Sequence, residues 1–250
     1  LDALFNHPNV GPFISRQLIQ HLASSHPSPA YVARVAAVFN NNGKGVRGDL
    51  GAVARAILLD SEATNPPAGS IGKLREPVVR VAHWMRSLQA VSVSGQYAIG
   101  SDLEPLGQRP FYANSVFGYF RPGYVPPNTV FSAERITVPV MQIVSESTTA
   151  QWVNLAERMA NGGLGWTPAI GTDVTAQLQP LADLMAAGQL AAVIDRLDLL
   201  LYAGSMSTTL RQDLMEAMLT VSGNSTAAHL NRARVALFLA LASPEYLVQR

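Results

Sequence analysis

Arg75, Glu76, His83, Arg121 and Tyr124 are the residues whose types suit chemistry on a single ligand. An arginine fork matches a carboxylate or sulfate group, an aromatic face suits a sugar or a cation, and Glu76 or His83 can move a proton. His83 has Arg80 at i−3, Arg86 at i+3 and Trp84 beside it, so burial there would keep its ring neutral. Arg121 and Tyr124 belong to the run Ser115-Val116-Phe117-Gly118-Tyr119-Phe120-Arg121-Pro122-Gly123-Tyr124-Val125-Pro126-Pro127-Asn128. Its prolines remove backbone donors and its glycines supply turns, which excludes a helix or a regular strand. As structure, Phe117, Phe120 and Tyr124 anchor this connection in a groove between helices. As function, Tyr119, Arg121 and Tyr124 line a pocket. Anchoring is the preferred reading, because large rings bury the most apolar area.

Other patterns have simpler readings. Gly43-Lys44-Gly45-Val46-Arg47-Gly48 fits G-x-G-x-x-G, but a dinucleotide site needs a strand in front of it. Here a helix ending in asparagines precedes it, so the motif reads as a helix end and turn. Asp49 of Arg47-Gly48-Asp49 reads as an N-cap, and Asn224-Ser225-Thr226 as the cap of the last helix. His7, His21, His26, His83 and His229 lack the spacing that sets two ligands on one helix face, so no metal site is expected. No G-x-S-x-G elbow occurs, and Ser205-Met206-Ser207 reads as a cap. Asp102 and Glu104, near Arg109, read as a solvated loop.

The elements that must position these residues are mostly helices. Pro12 opens a stripe of Ile14, Leu18 and Leu22, Ser28-Pro29 starts a second helix, and Asp49 caps a third. Glu76-Pro77 starts a fourth, in which Glu76 can pair with Arg80 at i+4. From about 91 to 149 the periodicity lapses, with short β pairings allowed at 91–99 and 136–143. Helices return at 152–159, 174–185, 190–202, 208–221 and 226–242, the last four joined by short turns that make neighbours antiparallel. The predicted fold is therefore mainly α: a helical part over 1–90, an aromatic and proline-rich region over 91–149 packed on it, and a helical bundle over 150–250, in one continuous domain.

Composition narrows the function classes. The 250 residues carry a net charge of +1 with 14% charged residues, no field that would steer nucleic acid or an anionic membrane. Cysteine is absent, which excludes disulfides, thiolate metal sites and a cysteine nucleophile. No apolar run reaches the length of a membrane span. The hydrophobic fraction of 48% and mean hydropathy of +0.15 suit a surface partly covered by a partner or by further chain.

Several motifs resemble those of the bacterial domain of unknown function 1800. They are Asn6-His7-Pro8-Asn9-Val10-Gly11-Pro12-Phe13-Ile14-Ser15-Arg16-Gln17-Leu18-Ile19, Pro29-Ala30-Tyr31-Val32-Ala33-Arg34-Val35, Gly45-Val46-Arg47-Gly48-Asp49-Leu50, Leu74-Arg75-Glu76-Pro77, the run from Ser115 to Asn128, and the closing Ser243-Pro244-Glu245-Tyr246-Leu247-Val248-Gln249-Arg250. The resemblance is to the C-terminal half of a longer, exported bacterial protein, periplasmic or extracellular. It implies a sulfatase-like protein encoded nearby as partner, and neither an established reaction nor a cofactor. The leading expectation is a non-catalytic envelope scaffold that presents a groove to a protein. The alternatives are a hydrolase or carbohydrate-binding enzyme acting on anionic or ester substrates with Arg75, Glu76, His83, Arg121 and Tyr124 in one cleft, and a subunit of a filament or surface assembly.

Overall fold

The computed structural model describes residues 1–116 and 118–249. It is 57% helix and 4% strand, a mainly α protein as the sequence predicts. Among the described residues, strand is confined to β1 (Lys73–Leu74), β2 (Val91–Ser92), β3 (Val174–Thr175) and β4 (Val248–Gln249). β1 pairs antiparallel with β4, and β2 with β3. The chain forms two compact units, each assembled from separated segments: Leu1–Leu74, Phe120–Gln142 and Val248–Arg250 in the first, Arg75–Tyr119 and Ile143–Leu247 in the second.

The first unit is built on the helices Val10–Leu22, Pro29–Asn40 and Leu50–Leu59. Ile19, Tyr31, Val35, Phe39, Val53 and Ile57 interlock as its core, each side chain contributing roughly 1.5–3 kcal/mol by leaving water. Local chemistry sets the helix starts. Ser28 Oγ accepts from Tyr31 N–H, with Pro29 in the first turn, and Asp49 accepts from Ala52 N–H. Tyr31 donates to Ile57 O at 2.6 Å, and burial, with Asp60 and Glu62 nearby, pushes its hydroxyl up to about 12. In the glycine-rich turn, Asn41 Oδ1 accepts from Gly43 and Gly45 N–H, and Asn42 Oδ1 from Lys44 and Val46 N–H. These amides are already paired, so the structure supports a helix end and turn in place of a phosphate cradle.

The second unit wraps around Thr226–Ala242, which packs against Glu146–Asn161, Gln179–Ala186 and Thr208–Thr220. Ala233, Ala236 and Ala240 are fully buried, and their small side chains let neighbouring backbones approach. Ser145, Ser207 and Ser225 cap three of these helices. The helix Leu190–Leu197 runs into a π-helical turn, Asp198–Tyr202, closed by Ala203 at φ +54°. That extra residue per turn rotates Tyr202 into the core, where it donates to Ala240 O at 2.6 Å.

Five local expectations are corrected. Residues 174–175 are strand, and the helix begins at Gln179: β-branched Thr172, Val174 and Thr175 favour pairing, and Pro180 suits only a helix's first turn. Pairing at 91–99 is limited to β2, and 136–143 ends in the 3-10 helix Pro139–Ile143. Asp102 is buried, accepting from Arg158 at 2.5 Å and Gly165 N–H at 2.8 Å, because the turn Gly100–Leu103 points it inward. Arg80 donates to Arg75 O at 2.8 Å while Glu76 accepts from Gln108 at 2.7 Å; Glu76 is extended, outside the helical geometry that i+4 pairing needs.

Candidate functional site

Three of the sequence-predicted residues, Arg75, Glu76 and His83, lie in the second unit, at and just before the helix Pro77–Ser87. Pro77 fixes the first turn, and the helix buries Pro77, Arg80, Val81 and Trp84 along one face. Tyr246, from the short helix Pro244–Leu247, is fully buried and is the hub of the cluster. Its hydroxyl donates to Arg80 O at 2.8 Å. Its ring stacks on His83 (5.7 Å, 7°) and lies near-parallel to Trp152 (6.1 Å, 14°), with Tyr202 edge-on at 6.3 Å. The Arg75 guanidinium lies 5.1 Å from the Tyr246 ring centre and donates to Tyr246 O, while Arg75 N–H donates to Leu247 O at 2.8 Å. Arg80 lies 5.0 Å from the Trp152 ring centre.

Burial governs the electrostatics. It pushes the Arg80 guanidinium down to about 10, Tyr246 opposing the shift and the Arg75 charge adding to it. Arg75 is also lowered by burial. Burial raises the Tyr202 and Tyr246 hydroxyls, so both stay protonated donors. His83 is lowered first by burial and then by Arg75, while a hydrogen bond to the Leu200 backbone opposes the shift. Its Nδ1 is sealed without a hydrogen-bond partner. The sign follows: below about pH 6.5 the unfolded chain takes up a proton that folded His83 resists. Stability is therefore expected to fall as pH drops below that value. Thermal melts from pH 7.5 to 5 should show this decline, and a flatter profile in His83→Phe.

Arg121 and Tyr124 fall in the first unit. Arg121 is exposed, and its backbone N–H donates to Gln142 Oε1 at 2.8 Å. Tyr124 is half-buried, with its carbonyl accepting from Val138 N–H. The surrounding segment is pinned by Gln20, which donates to Pro122 O at 2.9 Å, and by His21, whose ring lies 5.4 Å from that of Phe120. Thr137 N–H donates to His26 Nδ1, and Thr137 Oγ1 to Ser25 O, both at 3.0 Å. Anchoring is thus carried by Phe120 and backbone carbonyls; Phe117, also expected to anchor, lies outside the described residues. Among the described residues no group of three or more His, Asp or Glu is placed to hold a metal. No helix among them is long and apolar enough to cross a membrane.

Arg80, Trp152 and Tyr202 complete the cluster without a sequence motif to announce them, and Tyr246 sits in the closing run that carries the family resemblance. The available signal was Arg80 at the spacing of Pro77 and Trp84, on the buried face of the helix. The assembly can hold helix ends rigidly and offer guanidinium donors; its tyrosines and neutral histidine are not set to exchange protons with a bound molecule.

These features define a mainly α protein of two helical units, the second of which holds a buried cluster of Arg75, Arg80, His83, Trp152, Tyr202 and Tyr246. Residues 1–248 match the model of the family described as protein of unknown function (DUF1800), and the chain belongs to that family. No curated protein and no solved structure matches it.

Proposed function

We propose that this chain is a non-catalytic component of the bacterial envelope, exported and bound to a protein partner through the loop 109–116. Phe111 carries the reading: its ring is fully exposed and its backbone sits at φ +64°. A bulky residue in the left-handed region costs about 1–3 kcal/mol, and a solvated ring forgoes burial; a partner that covers the ring offsets both. Tyr112 is 64% exposed and Val116 is 95% exposed, so the apolar display continues along the loop. Arg109 lies 4.0 Å from the centre of the Tyr112 ring and 3.5 Å from Glu104, giving the display a charged edge. Tyrosine and arginine beside an exposed phenylalanine match the residue types that dominate protein interfaces. The family resemblance makes a sulfatase-like protein the first partner to seek.

The test is copurification from native envelopes, comparing the natural protein with Phe111→Asp and Tyr112→Asp. Each substitution is expected to weaken the complex roughly thirtyfold, the equivalent of about 2 kcal/mol at a central contact, with an unchanged melting temperature. Recovery of the natural protein alone, or full retention of the partner by both variants, would count against the proposal.

A further inference from the structure

We propose that Arg75 and Arg80 form a binding site for a small oxyanion, a carboxylate or phosphate group. Each guanidinium presents five N–H donors in a planar fork. Arg75 uses its guanidinium on Tyr246 O, and Arg80 uses Nε on Arg75 O; among the described residues neither guanidinium makes another hydrogen bond. Arg34, Arg109, Arg158 and Arg211 each pair with a carboxylate, whereas Arg75 and Arg80 show no such pairing among the described residues. Yet Arg80 is only 6% exposed. A buried cation without a counter-charge is a costly arrangement, and a second one close by adds repulsion.

The aromatic partners do not remove that cost. The Arg75 and Arg80 guanidiniums lie 5.1 Å and 5.0 Å from the ring centres of Tyr246 and Trp152, and beyond the bonds to Tyr246 O and Arg75 O their remaining N–H groups have no hydrogen-bond partner among the described residues. The Arg80 Nη atoms also retain an opening to solvent. Among the described residues, the guanidinium nitrogen sealed away without a partner is Arg234 Nε, so those of Arg80 are not shut in. Two linked forks, backed by rings and edged with free donors, are complementary to an oxyanion that accepts several charge-assisted hydrogen bonds at once. The same oxyanion chemistry is offered by free phosphate and by a carboxylate on an organic ligand.

Thermal unfolding at constant ionic strength, with chloride replaced stepwise by phosphate, sulfate or acetate, tests the assignment, and calorimetric titration with inorganic phosphate gives the affinity. The natural protein should show a saturable rise in melting temperature with at least one of the three, and Arg80→Met should show none. A stronger response to phosphate and sulfate identifies a tetrahedral anion, and a stronger one to acetate identifies a carboxylate. In chloride alone, Arg80→Met should melt at the same temperature or higher, because an uncompensated charge has gone. Arg80→Lys, which keeps the charge and loses the fork, should bind the effective anion at least tenfold more weakly, and this variant carries the test if Arg80→Met does not fold. No response to any of the three anions, an equal rise in the natural protein and Arg80→Met, or undiminished affinity in Arg80→Lys would overturn the proposal.

Discussion

Tyr246→Ala is expected to destabilise the second unit by about 3–5 kcal/mol, the range for removing a large buried aromatic side chain. The ring is fully buried and touches three other rings, so its loss leaves a cavity walled by His83, Trp152 and Tyr202. The donor to Arg80 O is lost as well, and the Arg75 guanidinium loses its ring face. Tyr246→Phe separates the contributions: it keeps the stacking and removes only the hydroxyl, at about 0.5–1.5 kcal/mol. Chemical denaturation followed by tryptophan fluorescence is the appropriate measurement, because Trp152 lies in the wall of the cavity. Equal losses for the two variants would mean that the hydrogen bond, not the packing, holds the cluster.

Gly163→Ala is expected to cost about 3 kcal/mol, combining left-handed backbone strain with a steric collision. Gly163 has φ +110°, and a Cβ there would lie 2.1 Å from Val174 O and 2.8 Å from Thr172 Cγ2. Val174 O accepts from Leu164 N–H at 2.9 Å, and Val174 N–H donates back to Leu164 O. Displacing Val174 therefore opens that bridge and strains the pairing of β3 with β2. It also disturbs Asp173, which accepts from Ser92 Oγ and from both Ser94 N–H and Oγ. Gly188 supplies the control: its φ is +72° with open space around the Cβ position, so Gly188→Ala meets the strain without the collision and should cost about 1–2 kcal/mol. The ratio of the two effects, read from denaturation midpoints, checks the argument.

Helix existence was legible where caps and prolines are local signals. Ser28-Pro29, Asp49 and Glu76-Pro77 start helices where the chain says they should, and Thr226–Ala242 matches its expected span. Boundaries set by distant partners were not legible. β2 exists because Val174–Thr175 comes to meet it, and nothing around Val91 encodes that register. The candidate residues divide along the same line. The fork of Arg75 could be read from residue type, whereas its role depends on Tyr246, 171 positions away. An arginine four residues after a glutamate reads as an i+4 pair, which hides the burial of Arg80. Only the extended backbone at Glu76 redirects each side chain to another partner.

The pairing of β1 with β4 has a consequence for how the chain acquires its fold on the ribosome. The core of the first unit gathers around Ile19, Tyr31 and Phe39, all made before the second unit, but Lys73–Leu74 must wait for Val248–Gln249, made after it. Until then the nascent edge of β1 presents unpaired backbone groups, an invitation to wrong partners that grows with the time spent waiting. Closure across so long an intervening chain raises contact order and slows the final step. β4 thus acts as a latch, closing the first unit only after the chain of the second has been made.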